Sequence, residues 1–319
     1  MQAKNIAIIG ECMIELSGTP FGEMRQSFGG DTLNAAIYLK RMSHEQVNTY
    51  YVTAIGDDKL SSMMRACWSD EGINTSLVAV DNKHSTGLYM IHVDNEGERS
   101  FQYWRSQSAA KYLLKHPMFS SINRQLVDCD LIFLSGISLA ILSTTDRNAL
   151  MQLLAEYRDR GIEIAFDSNY RPALWDSLAA AQSAYQAMLF ACDIALVTFD
   201  DEQQIWADKT PQDTLARLRK LGVKKAIVKL GESGCLCQEF SQQEEPEHIE
   251  AFTVNHIVDT TSAGDSFNGA FLALYTNGKT LASCCMAGNL LASHVIQHKG
   301  AVVSKNITQP IYESIKELL

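Results

Sequence analysis

The sequence predicts an α/β protein whose mostly parallel β-sheet carries helices on both faces, with a small antiparallel β lid. Short, almost entirely apolar runs alternate with helical patterns along most of the 319 residues, which is typical of parallel strands buried on both faces. One stretch, 87–105, breaks this alternation with two neighbouring strand patterns, and these patterns predict the lid.

The strands of the parallel sheet are predicted from short runs rich in Ile, Val, Leu and Ala. They are Ile6–Ile9, Tyr50–Ala54, Leu131–Leu134, Ile162–Phe166, Ile194–Val197 and Ala226–Leu230. Apolar residues at helical spacing predict helices between and after these strands. They are Thr32–Lys40, Lys59–Glu71, Thr144–Arg160, Asp176–Ala191, Pro211–Leu221, Asp265–Tyr275 and Leu281–Gln297. Because ligands of such folds bind at the carboxyl ends of the strands, we expect the site there.

The lid is predicted from Gly87–Val93 and Arg99–Arg105, which flank a turn at Asp94–Glu98. Both segments carry tyrosines or arginines where a strand that only packs would carry aliphatic residues. Gly10–Leu16 could add a further strand to the same sheet. A small antiparallel sheet that projects from a parallel one indicates a lid over an active site.

Composition is that of an ordinary globular enzyme, with 46% apolar and 20% charged residues. The net charge of −10 argues against nucleic acid or an anionic membrane as partner, so an anionic substrate would need a local group of Arg or Lys. No signal peptide is evident in residues 1–5, and the apolar stretch Leu131–Leu142 is too short to span a bilayer. We expect a soluble cytoplasmic protein with a single domain over 1–319, and lid segments at about 11–30 and 85–107.

Some local patterns resemble part of a metal-binding or dinucleotide-binding motif, but the other residues of each motif are missing. Cys235 and Cys237 are close, yet no second pair lies at zinc-site spacing, so the eight cysteines indicate reduced thiols. His294 and His298 are four residues apart on a helix without an evident third ligand. No Gly-x-Gly-x-x-Gly follows the first strand, which argues against a dinucleotide-binding dehydrogenase. The sequence leaves the identity of any metal ligand open.

The most informative segment is Asp259–Ala270, which reads Asp-Thr-Thr-Ser-Ala-Gly-Asp-Ser-Phe-Asn-Gly-Ala. Ser262, Ala263 and Gly264 leave backbone N–H groups open at a helix N-terminus, where the helix dipole favours an anion. Asp265 beside them would accept the proton of a hydroxyl that attacks a phosphate. The alternative is an ordinary helix cap, since Ser and Asp three residues apart also match a capping box.

Two glycine-containing turns also have two interpretations. Gly29 and Gly30 open a helix that carries Asn34, and two glycines let the backbone approach a small ligand while the amide bonds its hydroxyls. The alternative is a tight turn with an amide cap. Lys229-Leu-Gly-Glu-Ser-Gly234 follows the last predicted strand and would let a nucleotide lie against the backbone. The alternative there is a plain connection between strands.

A group of cations and phenols predicts a substrate that carries a carboxylate. Tyr89, Tyr103 and Arg105 lie on the predicted hairpin, and Arg171 follows the strand Ile162–Phe166. Arg binds a carboxylate through two parallel hydrogen bonds, and tyrosines add hydroxyl contacts. A solvated surface Arg is the alternative for either cation alone. A neutral sugar would leave two buried guanidiniums without counter-charge, so we expect an acid.

Gly29-Gly30-x-x-x-Asn34 and Asp259–Ala270 resemble the two signatures of the ribokinase-like (PfkB) carbohydrate kinases, the second at every position. The order of elements resembles that family along nearly the whole chain, lid included. The resemblance implies a ribokinase-like fold and phosphoryl transfer from ATP with Mg²⁺. It also implies that Asp265 is the general base and that the Ala263 and Gly264 amides form the anion hole.

Gly10–Leu16, Gly87–Arg105 and Asn169–Trp175 are most similar to members of that family that phosphorylate the terminal (C6) hydroxyl of 2-keto-3-deoxygluconate, a sugar acid. The resemblance implies a homo-oligomer, a dimer or larger. The residues implied to bind the sugar acid are Gly30, Asn34, Tyr89, Tyr103, Arg105, Asn169, Arg171 and Asp265. Those implied to bind the nucleotide are Thr198, Lys229, Gly231, Gly234, Ser262, Ala263, Gly264 and Asn289.

The chain departs from the family pattern at three places. Many members have Asn-x-x-Glu near the magnesium, whereas this chain has Phe199-Asp-Asp-Glu202, so Asp201 and Glu202 both stay candidates for the metal. Ala301 replaces an acidic residue of some members, and Glu15 stands where members often use Asp for a sugar hydroxyl. Two alternative functions are a kinase of a neutral sugar, such as fructose or ribose, and a non-catalytic sugar-binding protein.

Overall fold

The computed structural model describes residues 3–93, 99–242 and 245–316. Strands and helices alternate through most of this part, as the sequence predicts. The strands are β1 (Lys4–Ile9), β2 (Met13–Gly18), β3 (Met24–Gly29), β4 (Val47–Gly56), β5 (Val78–Asp81), β6 (Leu88–Val93), β7 (Arg99–Trp104), β8 (Leu131–Ser135), β9 (Glu163–Asp167), β10 (Ile194–Thr198), β11 (Lys225–Lys229), β12 (Cys235–Glu239) and β13 (Glu247–Ile249).

The main sheet has nine strands among the described residues, in the order β13-β12-β11-β10-β9-β8-β1-β4-β5. Every pair from β11 to β5 is parallel, and β12 and β13 add an antiparallel edge. All six strands predicted from apolar runs lie in the parallel part, which confirms that prediction. Because the connections are crossovers, the carboxyl ends of β1 and β8 to β11 meet at one edge.

Helices cover both faces of this sheet and form two separate cores with it. One core contains α1, α2 and α9 to α11, and the other contains α3 to α8. The helices are α1 (Asp31–Ser43), α2 (Lys59–Asp70), α3 (Phe119–Leu126), α4 (Gly136–Ala140), α5 (Thr144–Asp159), α6 (Leu178–Phe190), α7 (Phe199–Trp206), α8 (Pro211–Lys220), α9 (Ala263–Tyr275), α10 (Leu281–Val295) and α11 (Lys305–Ile315).

Helix α9 lies between α1 and α10, and its close packing depends on Gly269. A Cβ at that position would lie 2.8 Å from the carbonyl oxygen of Ala35 in α1. The backbones of α1 and α9 therefore approach more closely than any other residue at position 269 would allow. This packing brings the N-termini of both helices, and with them both signature motifs, to the same edge of the main sheet.

The lid is a second sheet with the strand order β3-β2-β6-β7. Strand β2 pairs antiparallel with β3 and parallel with β6, and β6 pairs antiparallel with β7. The hairpin prediction is therefore confirmed, although its turn at Asp94–Glu98 lies outside the described residues. Strand β3 was not predicted, because its sequence Met-Arg-Gln-Ser-Phe-Gly is mostly polar and its first half is exposed.

The structure accounts for the cysteine pair, the histidine pair and the apolar stretch that the sequence analysis considered as metal-binding or membrane-spanning patterns. Cys235 and Cys237 are buried in β12, and His294 and His298 each bond a backbone carbonyl one turn earlier in the chain. The described part of the chain holds no group of three or more His, Cys, Asp or Glu arranged to bind a metal. Leu131–Leu142 contains β8 and the short α4, and no described helix is long and apolar enough to cross a bilayer.

Candidate active site

Helix α9 begins at Ala263, and Ser262 precedes it in the left-handed conformation with φ 67°. Its side chain makes no capping hydrogen bond, so the capping-box interpretation is wrong. The Ala263 N–H donates to the Thr260 carbonyl at 3.2 Å, so it is not the open donor that the sequence predicts. Within the described residues no such partner is found for the Gly264 N–H, which is left at the positive end of the helix dipole.

Asp265 lies in the first turn of α9 and is positioned by Asn34. The Asn34 amide donates to the Asp265 carboxylate at 2.9 Å. Burial raises the pKa of Asp265 to about 7, the nearby charges of Asp31 and Asp167 raise it too, and the bond from Asn34 opposes this. A carboxyl group whose pKa lies near neutral pH has the acidity expected of a general base.

The glycine turn before α1 places Asn34 and Asp31 beside this base. A Cβ at Gly30 would overlap the carbonyl oxygen of Glu11, so only glycine allows this approach. The Asn34 N–H donates to the Gly30 carbonyl at 2.8 Å, which starts α1. Asp31 accepts a hydrogen bond of 2.6 Å from Asn169, whose φ of 31° lies in the left-handed region. The structure therefore brings Gly30, Asn34 and Asn169 to one place.

Two lid residues that the sequence predicts to contact substrate are hydrogen-bonded to carboxylates of the chain. Tyr89 donates to Glu15, which also accepts a bond of 2.8 Å from Ser27. Arg105 forms an ion pair with Glu11, whose side chain is only 1% exposed. The centroid of the Tyr103 ring lies 5.9 Å from that of the Tyr89 ring, and Tyr103 is half exposed.

The positions of Arg105 and Arg171 correct the expectation that a neutral sugar would leave two buried guanidiniums without counter-charge. Arg171 is exposed, and its guanidinium donates to the Tyr170 carbonyl at 2.9 Å. Arg105 is mostly buried but already has the counter-charge of Glu11. A neutral sugar would therefore not leave two buried guanidiniums unpaired, and the arginines alone do not exclude a neutral substrate.

The residues predicted to lie near a nucleotide line the edge formed by β10, β11 and the segment after β13. Thr198 ends β10 in register with Lys229, which ends β11. Gly231 and Gly234 have φ values of 60° and 81°, as their turn requires. Asn289 donates to the carbonyls of residues 249 and 250 at 3.2 and 3.0 Å, so it holds that segment against Gly234.

Asp201 and Glu202, the two candidates for the metal, are both engaged by protein groups. Glu202 is 1% exposed and accepts a bond of 2.6 Å from Arg217. Burial raises the pKa of Glu202 to about 7, although Arg217 opposes the shift. Asp201 accepts bonds of 3.1 Å from the Ser168 hydroxyl and the Tyr170 N–H, so it positions the loop after β9. Mg²⁺ bound mainly to phosphate oxygens and water would need few such carboxylates.

Residues 3–308 match the profile described as pfkB family carbohydrate kinase. The chain belongs to the pfkB family of carbohydrate kinases. This pfkB kinase is 52% identical over 303 residues to a 2-dehydro-3-deoxygluconokinase of Haemophilus influenzae, with 95% of this chain and 96% of that protein covered. It is 43% identical over 307 residues to a 2-dehydro-3-deoxygluconokinase of Dickeya dadantii, with 95% and 98% covered.

Solved structures share the fold of this pfkB kinase. A fructokinase from Xylella fastidiosa with bound ATP superposes with a TM-score of 0.82 at 16% identity, over 98% of this chain and 99% of that one. A 2-dehydro-3-deoxygluconokinase from Thermotoga maritima gives a TM-score of 0.82 at 19% identity, over 98% of each chain. The predicted ribokinase-like fold is confirmed, lid sheet included.

Four polar residues of this pfkB kinase site were not assigned a role from the sequence. They are Glu11, Asp31, Asp167 and Asn268. Each of them contacts a residue to which the sequence had assigned a role. Position along the chain was the available signal, since Asp167 ends a parallel strand and Glu11 closely follows another. Ligands of parallel α/β sheets bind at the carboxyl ends of the strands, so polar residues at these ends are candidates for the site.

Proposed function

We propose that this pfkB kinase transfers the γ-phosphoryl group of ATP to the terminal (C6) hydroxyl of 2-keto-3-deoxygluconate. The 52% identity with the Haemophilus influenzae 2-dehydro-3-deoxygluconokinase, over nearly the full length of both chains, carries the choice of substrate. A fructokinase from Zea mays is 28% identical and covers only 76% of this chain, so similarity favours the sugar acid.

The reaction requires a base and a site for phosphoryl charge, and the N-terminus of α9 offers both. Asp265 takes the proton of the attacking hydroxyl, while the Gly264 N–H and the helix dipole stabilise charge on the phosphoryl oxygens. Phosphoryl transfer asks little else of a protein than such positioning and stabilisation. Mg²⁺ bound to ATP would neutralise more of the phosphate charge.

The sugar acid is bound by residues of the lid and of the loops at the sheet edge. Arg105 can bind the substrate carboxylate without leaving Glu11, because its bond to Glu11 comes from one terminal nitrogen and a guanidinium carries five N–H groups. Arg171 binds the same carboxylate from the exposed loop after β9. The other groups proposed to contact the sugar are Gly30, Asn34, Tyr89, Tyr103 and Asn169. Closure of the lid sheet over them would exclude water, which would otherwise hydrolyse ATP.

The nucleotide lies along the carboxyl ends of β10 and β11. Its phosphates approach Ser262 and Gly264 at the start of α9. Thr198, Lys229, Gly231, Gly234 and Asn289 line the rest of the nucleotide site. Support comes from the turn at 231–234, whose two left-handed glycines bring the backbone close to the segment after β13.

The outer face of the lid sheet supports a homodimer. It holds a hollow of about 680 Å³ whose lining includes the exposed side chains of Phe21, Met24 and Trp104. Adjoining exposed aromatic side chains are more often an interaction surface than a solvated one. Light scattering during gel filtration should give a dimer mass that Trp104→Glu reduces to that of a monomer. A monomeric parent protein would overturn this assembly.

An ATP-consumption assay over 2-keto-3-deoxygluconate, gluconate, fructose and ribose tests the proposed function. We expect kcat/KM for 2-keto-3-deoxygluconate to exceed that for each neutral sugar by at least about a hundredfold, since a site that hydrogen-bonds a substrate group rejects an analogue that lacks this group. Phosphorus NMR of the product should place the phosphate on C6. Asp265→Asn, purified in parallel, controls for contaminating kinases. A preference for fructose or ribose would favour the neutral-sugar alternative, and no ATP consumption with any substrate would favour the non-catalytic one.

A further inference from the structure

Lys229 carries a buried ammonium group whose hydrogen bonds to the described residues leave one N–H donor unused. It ends β11 and is 8% exposed. Its Nζ lies 3.1 Å from an oxygen of Asp167 and 3.3 Å from the side-chain oxygen of Asn268. The Asn268 amide in turn donates to the other Asp167 oxygen at 2.8 Å. An ammonium has three N–H groups, so one remains after these two bonds.

The surroundings of the ammonium show what the third N–H faces. A Cβ built on Gly264 would lie 3.5 Å from the Lys229 Nζ, and no other atom of the described residues outside the turn lies as near. The Gly264 N–H, for which no partner is found in the described part of the chain, belongs to the same residue. A cation and an open amide at a helix N-terminus are therefore adjacent, which is the arrangement that binds a phosphate oxygen.

We propose that Lys229 is a catalytic residue that binds a phosphoryl oxygen during transfer, and that Asp167 and Asn268 are positioning residues that hold its ammonium. The inference rests on the proposed phosphoryl transfer. In that step the sugar hydroxyl oxygen bonds the γ-phosphorus, and the bond from that phosphorus to the β–γ bridging oxygen breaks. The hydroxyl proton goes to Asp265, and the electron pair of the broken bond stays on ADP. Lys229 donates a hydrogen bond that strengthens as charge develops on the phosphoryl oxygens in the transition state, and it transfers no proton.

Charge at the site explains why a cation is needed there. The charges of Asp31 and Asp167 raise the pKa of Asp265, and the charge of Asp167 also raises the pKa of Asp31. Phosphates entering this region would meet net negative charge if Lys229 only neutralised Asp167. Because Asp167 binds through one oxygen and leaves the ammonium a free N–H, the positive charge stays available to a third group. Donors that act on transition-state charge typically contribute 10²–10³-fold to kcat.

Lys229→Met tests the catalytic role, because Met keeps the length of the side chain without the charge. We expect kcat to fall by about 10²–10³-fold while the Kd of MgATP, measured by calorimetry, changes by less than about fivefold. Affinity for MgADP with aluminium fluoride and the sugar acid, a mimic of the transition state, should fall by the same factor as kcat. Lys225→Met on the same strand is the matched control and should leave kcat within about twofold, because Lys225 bonds Glu163 and Tyr275 instead.

The double variant Asp167→Asn/Lys229→Met separates catalysis from structure. If Lys229 only neutralised Asp167, removal of both charges would restore kcat, and that recovery would overturn the inference. We expect the double variant to stay as slow as Lys229→Met, and it provides the measurement if the single variant does not fold. A kcat of Lys229→Met within threefold of the parent would also overturn the inference while leaving the proposed function intact. Absence of parental turnover would instead overturn the proposed function.

Asp167→Asn tests the positioning role with a readout that a structural role would not give. We expect kcat to fall about tenfold at nearly constant KM for ATP. The acid limb of the pH–rate profile should move to lower pH, because Asp167 lies with Asp31 and Asn34 around Asp265 and its charge raises the pKa of that base. An unchanged pH profile together with unchanged kcat would remove Asp167 from the mechanism.

Discussion

The side chains of Asn34 and Asp265 are joined by a hydrogen bond of 2.9 Å, although 231 positions separate them in the sequence. Each belongs to one of the two signature motifs, and each lies in the first turn of its helix. The close packing of α1 on α9 brings these turns together. The bond therefore fixes the position of the base, and it also favours the ionised form of its carboxyl group.

Asp265→Asn should lower kcat by about 10³-fold, because the hydroxyl proton then has no acceptor. Binding of MgATP and of the sugar acid should change little, since Asn keeps the size of the side chain. Steady-state kinetics and calorimetry measure the two effects. A variant that kept more than a tenth of the parental kcat would show that Asp265 is not the base.

The pH dependence of kcat/KM should have an acid limb near pH 7, because Asp265 accepts a proton only when it is ionised. Asn34→Ala removes a hydrogen bond that lowers the pKa of Asp265, so the limb should move to higher pH. Asp31→Asn removes a negative charge that raises it, so the limb should move to lower pH. Shifts in the same direction for both variants would contradict this assignment.

Asp265→Asn should also stabilise the fold above pH 7. The folded-state pKa of about 7 exceeds the usual value of 3.8, so ionisation of Asp265 opposes folding. The destabilisation is absent below the unfolded pKa, grows as pH rises toward the folded pKa, and is complete above it. We expect the variant to gain a few kcal/mol at pH 8 and much less at pH 5. Thermal melts at both pH values measure this, and an equal gain at both would point to another cause.

Arg105→Met should destabilise the protein as well as weaken sugar-acid binding, because it leaves Glu11 buried without a counter-charge. Loss of one partner of a buried pair lowers the free energy of unfolding by about 3–5 kcal/mol. Glu11→Gln/Arg105→Met should recover most of that loss, measured by denaturant unfolding, and keep the raised KM for the sugar acid. Recovery of a parental KM in the double variant would show that Arg105 does not bind substrate.

Arg171→Ala is the matching change on the exposed loop. We expect a raised KM for the sugar acid with kcat nearly unchanged, because uniform binding is lost. Stability should stay within about 0.5 kcal/mol, since Arg171 is exposed and its guanidinium donates to the backbone carbonyl of the neighbouring Tyr170. A parental KM would remove Arg171 from the substrate site.

The parallel sheet was predictable because strands buried on both faces are almost entirely apolar, whereas β3 is polar and partly exposed and gave no such signal. The reaction was predictable from Asp259–Ala270, a short segment whose chemistry is local. The partner of Arg105 was not predictable, because Glu11 lies 94 positions earlier and meets Arg105 only in the folded chain. Nor could spacing show that Ser262 takes a left-handed conformation, because this conformation is uncommon for residues other than glycine.

The contact between Gly30 and Glu11 has a mechanical consequence. The Glu11 side chain holds Arg105 of the lid, its carbonyl touches Gly30, and Gly30 starts the helix whose Asn34 holds the base. The end of the site that receives the carboxylate and the end that receives the phosphoryl group thus share one short run of backbone. A single methyl group at position 30 would push the two ends apart, and both halves of the substrate would lose their alignment together.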